Sequence, residues 1–403
     1  MSVQKTIDQE RPNGLFFACV AVLLALPFAY ALRQHLTYDN PMDFRYFWGV
    51  GRLWAAGESP YAPEFTGMMT DLFRAEGLDH LLVNIFHNWV YSPHSWAPTR
   101  FLAAFEFYTA FRIWTFLNLA LIYAGTYMVA TLMLDFTRRW HWGIFAVLLL
   151  FTVTSIGGVT SMTVGQPSGI VYFSAAAFAY GAIRNRTGFV IAALVLLTMK
   201  ASIGLPFVAV ALAIPRLRMA VVIAGVISVL LLVPAVLIDG VLPLIQGYLR
   251  GVQAYAAFEP NAPFSMTGLR LAAYYLVGAN MSGLVMALLA SLVAATLAWW
   301  GERSGRPREV TIVAALAATL FLIPLHLYDL MLVSILAIAA VRPWFAMILV
   351  PVLVGLFRVN RLSQGLGIDE PSYSFGGSLL ATVFLAILFL AALGLFWKEK
   401  ARG

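Results

Sequence analysis

Few side chains in this sequence can do chemistry, and most stand at the ends of long apolar runs. Asp43 lies in YDNPMDFRYFWGVGRLWAAGESPY, Tyr38 to Tyr61. Here Asn40 and Pro41 fit the cap and first residue of a helix, which Gly57 and Pro60 end. An acid in the first turn is favoured by the free N–H groups and the dipole. The same carboxylate, ionised, can accept a proton from an attacking hydroxyl as a general base. Asp39 is a turn or cap residue, or a helper beside a substrate. Arg45 sits on the polar side of the helix and joins the substrate-binding candidates. Lys200 falls in an apolar stretch, where a lysine either snorkels to the interface or faces a cavity. In a cavity its fixed cation suits a lipid phosphate. LHLYDLML places His326, Tyr328 and Asp329 between two apolar runs beside Pro324. They make a polar turn, or three hydrogen-bonding groups at a site where His326 orients or protonates a ligand. Gln166, between Gly165 and Pro167, caps a helix or marks an N-terminus aimed at an anion. Arg358 and Arg361, in FRVNRLSQG, pair with Asp369, Glu370 or headgroups, or grip a phosphate through the guanidinium fork. Trp48, Tyr91 and Trp96 suit stacking on sugar or prenyl groups, and equally an interfacial aromatic belt.

No P-loop, dinucleotide fingerprint, hydrolase elbow or metal-ligand spacing accompanies them. No cofactor is expected. No carboxylate cluster demands a metal, although Asp39, Asp43 and Asp329 would have to converge in space to hold one. The single cysteine, Cys19, rules out a disulfide within the chain.

The elements that must position these groups follow from composition. Of the 403 residues 61% are hydrophobic and 11% charged, against roughly 25% charged in globular domains, so the chain is an all-α integral membrane protein. The formal charge of +7 suits cytoplasmic loops and calls for no nucleic acid. Leu15 to Leu32 exceeds a signal-peptide core and is taken as an uncleaved first helix. Apolar runs give about twelve spans at ~20 residues each, some shorter. They are 14–33, 109–134, 143–158, 166–183, 189–200, 201–215, 219–238, 283–300, 310–325, 329–341, 344–357 and 378–397. The chain is a single membrane domain over 1–403, without repeats or a soluble unit. Its long outer loop, 34–108, carries amphipathic helices, including a second one from Pro63 to Ala75.

Arginines and lysines collect at Arg138/Arg139, Arg184/Arg186, Arg216/Arg218, Arg303 to Arg308, Arg342 and the tail. The pattern places both termini in the cytoplasm and 34–108, 239–282 and 358–377 outside. It also puts both ends of Phe189 to Pro215 on one side. That segment is therefore expected to be a hairpin of two short helices, broken near Lys200, Gly204 and Pro206.

Several blocks, in order, resemble glycosyltransferase family 87. They are DFRYFWGVGRLWAAGESPY, YSPHSW (Tyr91 to Trp96), VGQPSG (Val164 to Gly169), MKASIGLP (Met199 to Pro206) and HLYDLML (His326 to Leu332). The resemblance runs from the first span to about the tenth; after Pro343 only hydropathy matches. It implies a GT-C bundle that takes polyprenyl-phosphate sugars at the far face of the membrane. The family includes mannosyltransferases acting on lipid acceptors. It also implies an acid of the first outer loop as general base, matching Asp43, and a histidine near the later loop, matching His326 in position. The expected partners are a polyprenyl-phosphate sugar donor, a lipid or glycan acceptor and membrane lipids. A transporter or lipid-carrier flippase is the alternative; it predicts two halves with matched interruptions, and no such symmetry is present. A non-catalytic scaffold predicts dispensable polar residues.

Overall fold

The computed structural model describes residues 14–37, 41–82, 89–133, 141–258, 261–357, 359–366 and 377–399. Asp39, Asn40, Arg138, Arg139, Arg358, Asp369 and Glu370 lie outside the described residues. Within them every element is helical, and the one strand-like contact is an isolated bridge between Thr267 and Leu325. This is a membrane protein. Five helices are long and apolar enough to cross a bilayer: Gly14–Arg33, Phe107–Leu132, Pro215–Asp239, Gly283–Arg303 and Ser378–Lys398. Two sharply bent pairs, His141–Thr154 with Gly157–Val164 and Pro343–Phe357 with Val359–Gly365, raise that number to seven if each pair is one span. The other expected runs are helical but short: Ser168–Arg184, Thr187–Leu197, Ala201–Ala213, Arg308–Leu322 and Leu327–Val341. At 1.5 Å per residue, α-helices of this size reach only ~17–25 Å, short of a ~30 Å hydrocarbon core. Length therefore supports fewer crossings than hydropathy alone suggested.

Leu327–Val341 differs from the rest. It is a 15-residue 3₁₀ helix, buried from Leu327 through Ala339. Tighter winding rises ~2.0 Å per residue, so it reaches ~30 Å where an α-helix would reach ~22 Å. It is the central post, packed among Ile156–Val164, Ser168–Arg184, Arg308–Leu322 and Pro343–Phe357. Gly157 permits the closest approach, because a Cβ there would meet the Met331 nitrogen at 2.8 Å. Ser334 anchors the post through a chain of hydroxyls. It accepts from Thr152 Oγ1 (3.1 Å) and donates to Tyr172 OH (3.2 Å), which pairs with Thr126 (3.1 Å). Satisfied in this way, four hydroxyls sit in an apolar interior without the cost of unpaired burial.

The expected break at Lys200 is present, with one difference. Thr187–Leu197 and Ala201–Ala213 flank a turn at Thr198, Met199 and Lys200, whereas Gly204 and Pro206 lie inside the second helix. Gly204 comes so close to the preceding helix that a Cβ would meet the Leu197 carbonyl oxygen at 2.6 Å. In a continuous helix seven residues span ~10 Å, so the chain bends sharply here.

The described residues of the long segment after the first helix, 41–82 and 89–106, are packed rather than loose. Phe44–Ala56, Phe65–Ala75 and Trp96–Leu102 close over an aromatic cluster that includes Phe47, Trp48, Phe73, Trp89, Phe107 and Trp114. The first helix starts at Phe44, later than the Asn40-Pro41 pattern indicates. A tertiary bond explains the delay. The Asp43 N–H donates to the Val164 carbonyl at 2.8 Å, which holds residues 41–43 in a turn.

Candidate active site

Three pieces of chain meet at Asp43. Gly165, at φ +80°, brings the Val164–Gln166 turn against the start of the Phe44–Ala56 helix; a Cβ there would lie 2.5 Å from Phe44 Cβ. Trp114, from the Phe107–Leu132 helix, donates its indole N–H to the Gly165 carbonyl at 2.8 Å. The Asp43 side chain makes no capping bond to its own helix. Instead Oδ2 accepts from Gln166 Nε2 at 2.7 Å. Gln166 Oε1 in turn accepts from Tyr91 OH at 3.1 Å, and the Tyr91 carbonyl accepts from Tyr61 OH at 2.6 Å. A carboxylate can only accept and a phenol hydrogen can only donate, so the two partners fix which way the Gln166 amide points. Oδ1 of Asp43 accepts no hydrogen bond among the described residues. Burial pushes the Asp43 carboxyl up to about 6, against the Gln166 bond and the charges of Arg45 and Lys200. An acid tuned to that range is ionised at neutral pH yet basic enough to take a proton.

Arg45 is buried. Its Nε donates to the Met42 carbonyl at 2.9 Å, and Nη1 donates to the Leu81 carbonyl.

Lys200 lies close enough for its charge to act on Asp43. Its ammonium bonds both oxygens of Asp329, at 2.7 and 2.9 Å, and lies 5.1 Å from the Tyr328 ring centre. Asp329 also accepts from the His326 backbone N–H at 3.3 Å, so one carboxylate ties the 3₁₀ helix start to the Lys200 turn. Lys200 is thus a paired cation. The His326 ring stacks on Tyr328 at 4.9 Å, and among the described residues its two nitrogens are buried without a hydrogen bond, apart from the looser approach of the Asp329 backbone N–H at the start of the 3₁₀ helix. Buried polar groups without partners are rare in folded proteins and ask for a reason.

The YSPHSW block braces this arrangement. Ser92 N–H donates to the Met199 carbonyl at 3.1 Å. His94 holds Ser92 Oγ at 2.7 Å through Nδ1 and the Val195 carbonyl at 3.0 Å through Nε2. Since a carbonyl only accepts, Nε2 carries the hydrogen, and burial lowers the His94 pKa and keeps the ring neutral.

Tyr255, from the Val241–Ala257 helix, completes the group. Its phenol lies beside Tyr328, and the charges of Asp43 and Asp329 both act on it. The structure thus brings Asp43, Tyr91, Gln166, Lys200, His326, Tyr328 and Asp329 together. It does not bring Arg361, which is exposed on the Val359–Gly365 helix and shares no bond with them. Asp39 and Arg358 fall outside the described residues. No three His, Cys, Asp or Glu among the described residues are grouped as a metal ion would need. Tyr61, His94 and Tyr255 were not singled out by sequence reasoning. For His94 the YSPHSW block carried the only hint; the two tyrosines resemble any interfacial aromatic.

The profile of glycosyltransferase family 87 matches residues 89–325, more than half of the chain. This protein belongs to glycosyltransferase family 87. The matched stretch contains Tyr91, Gln166 and Lys200, starts after Asp43 and ends one residue before His326. No curated protein and no solved structure matches the chain. Family 87 membership makes the chain a glycosyltransferase, with a sugar donor and an acceptor to bring together.

Proposed function

We propose that this family 87 enzyme transfers a hexose, such as mannose, from a polyprenyl-phosphate donor to a hydroxyl of a lipid or glycan acceptor. The reaction takes place at the outer face of the membrane with inversion at the anomeric carbon. Asp43 accepts the acceptor's hydroxyl proton as its oxygen bonds to the anomeric carbon. The bond from that carbon to the phosphate oxygen breaks, and its electron pair leaves with the polyprenyl phosphate. The observation that carries this reading is the Asp43 carboxylate, held through Oδ2 by Gln166 while Oδ1 has no hydrogen-bond partner among the described residues. Lys200 and the buried His326 ring beside it are the groups for the departing phosphate. Fixed charge and donors aimed where charge develops supply the largest part of most such accelerations. Tyr91 and Gln166, counted from sequence among substrate-binding residues, orient the base in this mechanism.

Purified protein in liposomes, given defined polyprenyl-phosphate hexoses, is expected to transfer sugar, and Asp43→Asn to lose roughly 10²–10⁴-fold in turnover while staying folded. Full turnover in a folded Asp43→Asn protein overturns the base assignment. Movement of labelled lipid across the bilayer with no transfer by wild type favours a carrier instead.

A further inference from the structure

The Val241–Ala257 helix has three faces. At ~100° per residue, Leu244, Gly247, Tyr248, Gly251 and Tyr255 share one side. That side meets the protein: a Cβ on Gly247 would lie 2.6 Å from the Tyr61 carbonyl oxygen, Tyr248 contacts the Tyr61 ring at 6.1 Å, and the charges of Asp43 and Asp329 act on Tyr255. The next sector holds Val241, Leu242, Ile245, Leu249 and Val252, all large, apolar and between 39% and 64% exposed. Beyond it come Gln246, Arg250 and Gln253, also exposed. An apolar stripe of this size has no place in water. An apolar stripe bordered along its length by a polar one describes a helix lying in a membrane interface. Continuity names the occupant. The helix follows Pro215–Asp239, separated from it only by Gly240, and that crossing exposes Val222, Val226, Val229, Leu230, Val233 and Leu237.

We infer that Val241–Ala257 lies half-immersed in the lipid leaflet on the side of the active site and forms the wall between the acyl chains and Asp43, along which the prenyl chain of a donor enters. The route rests on the function proposed above; the immersion does not. One helix diameter, ~10–12 Å, separates lipid from the tyrosines inside. A lipid-linked sugar then reaches Asp43 by passing beside this helix, with its chain never leaving the bilayer.

The full chain carries one cysteine, so Cys19→Ser gives a clean background for single-cysteine variants. Nitroxide labels on Ile245→Cys and Leu249→Cys, in phosphatidylcholine–phosphatidylglycerol vesicles, are expected to collide more readily with oxygen than with a water-soluble nickel chelate. Labels on Gln246→Cys and Arg250→Cys are expected to show the reverse. Equal nickel access at all four overturns the immersion. For the route, Leu249→Asp is expected to raise KM ~10-fold for a long-chain polyprenyl-phosphate hexose, a penalty of ~1.4 kcal/mol. KM for a short, water-soluble prenyl analogue is expected to stay within ~2-fold, since 2-fold is under ~0.5 kcal/mol. Equal changes for both donors overturn the route. Absence of any transfer by wild type defeats the proposed function and leaves the immersion standing on its own labels.

Discussion

Asp43 carries two demands that pull against each other: burial raises its pKa, and catalysis needs it ionised. The Gln166 bond and the charges of Arg45 and Lys200 favour the ionised form, while Asp329 and the hydroxyls of Tyr91, Tyr255 and Tyr328 also face this space. With the carboxyl pushed up to about 6, turnover is expected to fall as pH drops through about 6, because the base becomes protonated. In Gln166→Leu the stabilising bond is gone, so the protonated form gains and the acid limb of the pH–rate profile is expected to move to higher pH. A profile that keeps its position while the rate falls would assign Gln166 a packing role alone.

At the scale of elements, the Lys200 turn is held by groups that are remote in sequence. Asp329 lies 129 residues away and is almost fully buried, with its side chain 2% exposed. Removing only the cation leaves a buried carboxylate alone, which typically costs ~3–5 kcal/mol. Lys200→Met is therefore expected to lower the thermal midpoint in detergent sharply, and adding Asp329→Asn to recover part of the loss. Equal stability of the single and double variants would mean the pair does not hold the turn. Gly157 makes a separate contribution, letting the Ile156–Val164 helix touch the central 3₁₀ helix. Gly157→Val is expected to cost ~1–3 kcal/mol by overpacking, read in the same melting experiment.

For the whole molecule, the basic residues predict an orientation. If Arg184/Arg186, Arg216/Arg218 and Arg303 to Arg308 all face the cytoplasm, residues 278–282 face outward. Cysteines placed at Ala279 and at Ser304, in the Cys19→Ser background, are expected to react with a membrane-impermeant maleimide from outside and from inside respectively. Reaction of both from the same side would overturn the assignment. The same experiment bears on the number of crossings, because each added span inverts every joint that follows it.

The sequence by itself determined that this chain is helical and lives in a membrane, because 61% apolar residues at helical spacing leave no other solvent for them. It also marked the polar exceptions. Asp43, Gln166, Lys200, His326 and Asp329 stand out because charged and hydrogen-bonding groups are costly in an apolar chain unless something uses them. Tertiary structure alone decided how they are joined. Local pattern made Asp43 a capping acid, yet its partner is Gln166, 123 residues onward. It left Lys200 between snorkelling and facing a cavity, and could not show that Asp329, 129 residues onward, holds it. Periodicity reports which face of a helix is apolar; a hydrogen bond between distant residues depends on which faces meet. The same limit explains Tyr255, an ordinary aromatic in the sequence that becomes part of the site only because its helix lies across Tyr61.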